Sequence, residues 1–154
     1  MGHRLRRVWD RRYGYSPRVE IPKGKAANLR HKVKQLTRRS TLTWSLPELL
    51  REVNPIPRGW GHFYRYCTGA GDAFASLDWY VSDRMWRWRR KKYPKARQSE
   101  VANARMPSRT RPTWRVWQAD GQELYLMSWL SVQRYRRGWM GTPAYAMVPG
   151  EPDA

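Results

Sequence analysis

The densest chemistry in this chain of 154 residues is a run of cations set among aromatic rings. Trp86-Arg87-Trp88-Arg89-Arg90-Lys91-Lys92-Tyr93 lies in a stretch where Arg84, Arg87, Arg89, Arg90, Lys91, Lys92, Lys95 and Arg97 meet no acid from position 84 to 97. Cations at this density neutralise phosphates, and ring faces beside them offer platforms for bases or riboses. The competing reading is a solvated basic face with both tryptophans in the core; at this charge density polyanion contact is the favoured one. Arg134-Tyr135-Arg136-Arg137-Gly138-Trp139 repeats the pattern more sparsely.

Bond-making chemistry has thinner support. The acids are scattered and mostly explained by caps or neighbouring arginines, so no carboxylate pair is set for acid–base work. Gly59-Trp60-Gly61 and Gly69-Ala70-Gly71 lack the extension of a phosphate-binding loop. Cys67 stands alone, which excludes a disulfide within the chain and a cysteine-based zinc finger, and it reads as a small core residue. His3, His31 and His62 show no ligand spacing, and His62 reads as a packing or hydrogen-bonding residue. No catalytic residue, no metal site and no cofactor is expected.

The whole composition agrees with an anionic partner. Lys and Arg number 31 against 12 Asp and Glu, a formal charge of +19 whose self-repulsion a polyanion would relieve. Leu, Val, Ile and Phe together supply only 24 residues, a proportion that borders on disorder at this charge. Ten Trp, nine Tyr and six Met restore enough apolar area for a core and leave rings for stacking. No apolar run approaches the ~20 residues of a membrane span, and the first residues carry neither a signal peptide nor a myristoylation pattern. The expected product is a single intracellular domain with no membrane partner.

These residues need elements to position them. Two short strands around a Tyr13–Pro17 turn are expected first. Ala26, Leu29, Val33 and Leu36 then recur at helical spacing, predicting an amphipathic helix over Lys25–Arg39 whose outer face carries Arg30, Lys32, Lys34 and Arg38. Ser45-Leu46-Pro47-Glu48 is a capping box that starts a second helix, with Leu46, Leu49, Leu50 and Val53 on its apolar face. Asn54-Pro55 predicts an end and a beginning, with Asn54 leaving the helical region and capping a third helix along Ile56, Trp60, Phe63, Tyr64 and Cys67. Asp72 is the expected cap of a fourth helix buried along Phe74, Leu77, Val81, Met85 and Trp88. After Pro94 an irregular segment is expected up to Pro112, then a hairpin of Thr113–Gln118 and Glu123–Met127 around Asp120-Gly121. Trp129–Trp139 reads as a short helix or an extended basic segment, and residues 151–154 as a frayed tail.

The central block then becomes recognisable. Leu49-Leu50-Arg51-Glu52-Val53-Asn54-Pro55-Ile56-Pro57-Arg58-Gly59-Trp60-Gly61-His62-Phe63-Tyr64-Arg65-Tyr66, followed by Leu77-Asp78, Tyr80-Val81, Arg84, Trp86-Arg87-Trp88 and Arg90-Lys91, closely resembles the maturase-specific domain of group II intron reverse transcriptases. The likeness covers residues 23–95 and, more loosely, the N-terminal stretch, where Met1-Gly2-His3 resembles the end of a polymerase palm. Pro57 stands where that family usually has Leu.

The resemblance implies a thumb-like helical bundle, which with the short N-terminal strands and C-terminal hairpin expected from the residues gives a mainly α fold. It divides the chain into 1–22, the end of a palm; 23–95, the maturase-specific domain; and 96–154, a basic extension. It also implies a role in folding and splicing a group II intron RNA, which is itself the catalyst, in a bacterial cytoplasm. The expected RNA contacts are Arg30, Lys34, Arg38, Arg58, Arg65, Arg84, Arg87, Arg89, Arg90, Lys91 and Lys92, and the expected structural motif is Asn54, Pro55, Gly59, Trp60, Phe63 and Tyr64. No Tyr-x-Asp-Asp element and no paired endonuclease cysteines occur, so independent polymerase activity is not expected. Three readings stay open: a truncated or split maturase, the thumb subunit of a split polymerase whose fingers and palm are a separate polypeptide, and a general basic nucleic-acid-binding remnant.

Overall fold

The computed structural model describes residues 2–12 and 14–132. Strands β1 (Arg4–Asp10) and β2 (Gly14–Glu20) pair antiparallel from Arg4 opposite Glu20 to Asp10 opposite Gly14. The turn therefore lies before Gly14 rather than across Tyr13–Pro17. Gly14 supplies the positive φ of 71° that ends the turn. Pro17 pairs with Arg7 inside the ribbon, where each strand is an edge and a missing N–H interrupts no further ladder.

Helix α1 (Lys23–Leu36) buries Leu29 and Val33, with Ala26 and Leu36 partly covered, as the 3.6-residue spacing requires. It stops short of Arg39 because the Thr37 hydroxyl bonds back to the Val33 carbonyl at 2.9 Å and the chain tightens into a 3-10 turn over Arg39–Thr41. Helix α2 (Leu46–Val53) starts at the predicted capping box, in which Ser45 N donates to Glu48 Oε2 at 2.6 Å and Glu48 N to Ser45 Oγ at 3.4 Å.

Asn54 departs from expectation. It keeps helical dihedrals (φ −56°, ψ −37°) and its side chain caps nothing in helix α3 (Pro55–Tyr64). Pro57 is buried in the first turn of α3, where its absent N–H has no intrahelical acceptor to lose. Helix α4 (Ala70–Lys92) begins after Gly69, whose φ of 75° ends the preceding turn. Asp72 lies inside the first turn and is not the cap.

Residues beyond Pro94 are more ordered than the sequence predicts. Helix α5 (Gln98–Ala102) and strand β3 (Arg105–Pro107) replace the irregular segment, and β3 joins β4 (Arg115–Ala119) and β5 (Gln122–Glu123) in a small antiparallel sheet. Asp120 and Gly121, at φ 46° and 76°, form the expected tight turn. The second arm ends at Glu123, and a 3-10 turn follows over Met127–Trp129. Arg134–Trp139 and the terminal residues 151–154 lie outside the described residues.

One core joins these parts. Leu29, Val33, Leu49, Leu50, Val53, Phe74, Leu77, Val81, Met85 and Trp88 meet Val101, Trp117, Leu124 and Met127 from the C-terminal segment. Few aliphatic residues are available, so rings carry much of the packing. Trp60 lies 4.6 Å from Tyr64 and 5.9 Å from Phe74 between centroids, contacts worth about 0.5–1.5 kcal/mol each beyond the area buried. The fold is mainly helical, with an N-terminal hairpin and a small C-terminal sheet.

Candidate nucleic-acid interface

Helix α4 sorts its cations by face. Arg84, Trp88 and Lys92 recur every four residues and share one stripe. Arg84 Nε donates to Thr37 Oγ1 at 2.9 Å and Arg84 Nη2 to the Thr37 carbonyl at 3.1 Å. Trp88 Nε1 donates to Thr41 Oγ1 at 3.2 Å, and Lys92 Nζ donates to the Trp44 carbonyl while lying over the Trp88 ring. This stripe laces α4 to residues 37–44. It gives a partner to the Thr37 carbonyl at the end of α1, one of the carbonyls a helix terminus leaves without an intrahelical donor.

The neighbouring stripe faces solvent. Arg90 and Lys91 are exposed, and Arg87, whose side chain is 62% exposed, pairs with Asp83 at 2.8 Å. An exposed pair of this kind holds its guanidinium only weakly. Arg89 is half-buried with its guanidinium 5.4 Å from the Tyr93 ring centre. On α1 and just beyond it, Lys34 and Arg38 are exposed. Arg30 is half-buried, donating to Ser76 Oγ at 3.2 Å beside the Tyr80 ring. Of the predicted contacts, Lys34, Arg38, Arg58, Arg87, Arg90 and Lys91 thus present charge outward. Arg30, Arg84 and Lys92 are hydrogen-bonded within the fold, and half-buried Arg89 keeps its Nε without a hydrogen-bond partner.

The ring platforms on α4 are not where the sequence pattern puts them. Trp88 is 1% exposed, and Trp86 is half-buried at 6.2 Å from the Trp117 ring. Of the rings in that run Tyr93, just past the end of α4, is exposed, and the other outward rings are Trp79 on α4, Trp9 and Tyr15 on the ribbon, Tyr66 after α3 and Trp114 before β4.

The Asn54–Tyr66 motif is built around contacts of two kinds. Trp60 and Tyr64 enter the core, Tyr64 donating its hydroxyl to the Gly2 carbonyl at 3.2 Å, and half-buried Phe63 stacks on His3 at 4.6 Å. Pro55 is exposed at the first helical position. Arg58 is exposed with its guanidinium 5.3 Å from the Tyr125 ring centre, and Arg65 is half-buried against Tyr66. A Cβ at Gly59 would meet nothing within 4 Å. The glycine that packing requires is Gly61, where a Cβ would lie 2.8 Å from Leu130 Cδ1 and 3.1 Å from Met127 Cγ.

Two polar side chains latch the segment that crowds Gly61. Asn54 Nδ2 donates to the Glu123 carbonyl at 2.7 Å, and its Oδ1 accepts from Tyr125 N at 2.9 Å. Asp78, 7% exposed, accepts from Met127 N at 2.9 Å and Ser128 N at 2.7 Å. Burial pushes the Asp78 carboxyl above its usual range, opposed by those two amides. Position 78 falls one turn after Phe74 on the buried face, so a carboxylate inside an apolar stripe was the signal available in the sequence. Burial also pushes up the thiol of Cys67, which is fully enclosed. Among the described residues no cluster of His, Cys, Asp or Glu could hold a metal, and no helix is long and apolar enough to cross a membrane.

Residues 26–106 match the family model described as group II intron, maturase-specific domain. Since that match spans more than half of the chain, the chain belongs to this family. No match was found among curated proteins. Membership implies a group II intron maturase-related role.

Proposed function

We propose that this maturase-related chain binds group II intron RNA and favours its splicing-competent fold, leaving bond chemistry to the RNA. The division of labour on α4 carries the reading: Arg84 and Lys92 are consumed in holding the fold, whereas Arg87, Arg90 and Lys91 project from the adjoining stripe with one weakly competing acid. Lys34 on α1 and Arg38 just beyond it add exposed charge, and Arg65 supplies charge just past the end of α3. A folded intron packs phosphates closely. A rigid basic surface that binds this arrangement better than open RNA shifts the population toward it by the difference in affinity, each ~1.4 kcal/mol being worth tenfold.

The test is splicing of a group II intron at low magnesium with and without the purified chain. Acceleration is expected, and it should vanish at high magnesium, where the metal screens the same phosphates. No acceleration, whether the chain is alone or mixed with a reverse-transcriptase fingers and palm fragment, would contradict the reading. A second reading, in which the chain serves a polymerase as its thumb, draws support from the ribbon face that leaves Leu5, Trp9 and Tyr15 more than 60% exposed. Acceleration only in the presence of the fingers and palm fragment would favour it.

A further inference from the structure

The groove between the start of α3 and the segment 121–130 encloses about 500 Å³, the size of a small-ligand site. Tyr125, Leu126, Trp129 and Leu130 form its apolar wall, and Arg58 and Arg109 stand on its rim. Two of its other polar side chains are already engaged. The Glu123 carboxylate accepts from Ser108 Oγ at 3.0 Å and from Arg109 N at 2.8 Å, and the Asn54 amide is spent on the Glu123 carbonyl and Tyr125 N. Arg58 and Arg109 are both exposed and form no ion pair among the described residues. Arg58 lies over Tyr125, and Arg111 lies 5.2 Å from the ring centre of Trp129. Each pair sets a guanidinium on an aromatic face. Such a plane is a platform on which an unpaired base stacks.

A wall of rings beneath a rim of arginines matches one ligand chemistry: a flat, weakly polar base joined to a phosphate. We infer that this groove holds an unpaired nucleotide of the RNA, its base against the Tyr125–Trp129 wall and its phosphate between Arg58 and Arg109. The inference rests on the RNA-binding reading and adds to it a site for single-stranded RNA apart from the α4 stripe. A duplex, whose bases are stacked and paired, cannot enter the groove and would use the α4 stripe alone.

The experiment compares binding of a single-stranded RNA of about eight nucleotides and of the same strand in a blunt duplex, with the full chain and two variants. The double variant Arg58→Gln and Arg109→Gln alters exposed side chains only, because the Glu123 contact is made by the Arg109 backbone. It should lose roughly tenfold in affinity for the single strand, about one stacked base with its phosphate contact, and little for the duplex. The triple variant Arg87→Gln, Arg90→Gln and Lys91→Gln should weaken both. With 4-thiouridine in the single strand, photo-crosslinks should map to Tyr125 or Trp129 and disappear in the double variant. Equal loss on both RNAs, or none on either, would overturn the groove site while leaving RNA binding standing. No salt-sensitive binding of either RNA by the unmodified chain would overturn both readings together.

Discussion

At the residue scale, Asp78 does what neither charge counting nor helical spacing assigns to it. A carboxylate on the buried face of α4 is costly to ionise, yet the Met127 and Ser128 amides both aim at it and offset part of that cost. Asp78→Asn replaces one acceptor oxygen by an amide that cannot accept, and should cost about 1–3 kcal/mol at neutral pH. The pH dependence follows from the raised carboxyl. The folded chain holds its proton more tightly than the unfolded one, so the stability that protonation adds is complete below the ordinary carboxylate value of ~3.9 and is lost as pH climbs through the raised one. In urea denaturation across a pH series, the advantage of the natural chain over Asp78→Asn should therefore shrink as pH rises. An advantage that grows with pH would contradict this assignment.

At the scale of elements, α3 works as a spacer whose two glycines have opposite status. Gly61→Ala drives a methyl against Leu130 and Met127, and should cost about 1–3 kcal/mol as segment 127–130 is pushed off the helix. Gly59→Ala meets open space in the same helix and should be neutral or add about 0.5–1 kcal/mol. Thermal denaturation of the two variants separates them, and equal effects would show that the packing against Gly61 is not what holds the segment. The sequence names the four main helices because their apolar spacing and the Ser45–Glu48 box are local signals. It does not name α5 or β3, which are too short for a period to register and are ordered by Val101, Ala104 and Trp117 joining the core. Asn54 misleads for a related reason: an Asn before Pro reads as a cap, but its partners at Glu123 and Tyr125 lie some seventy residues away. The cationic run of α4 is legible as charge density. Which cations turn inward is not, because Thr37 and Trp44, which claim Arg84 and Lys92, are 47 and 48 residues distant along the chain.

At the scale of the whole molecule, a charge of +19 on a small mixed core carries self-repulsion that an anionic partner would relieve. The core consumes Trp60, Trp88 and Trp117, and the C-terminal segment is sealed to it by Asn54 and Asp78, which leaves the outward cations on a fixed scaffold. The central claim is that Arg87, Arg90 and Lys91 meet RNA phosphates while Arg84 and Lys92 hold the fold. The most direct measurement is the salt dependence of single-stranded RNA affinity for the natural chain and for the variant with Arg87, Arg90 and Lys91 all changed to Gln. With about six phosphates neutralised, the log–log slope should be roughly −4, at ~0.7 per contact. The variant, with three contacts fewer, should fall to roughly −2 with its helical circular dichroism intact. An unchanged slope in the variant, or a flat response in the natural chain, would contradict the account.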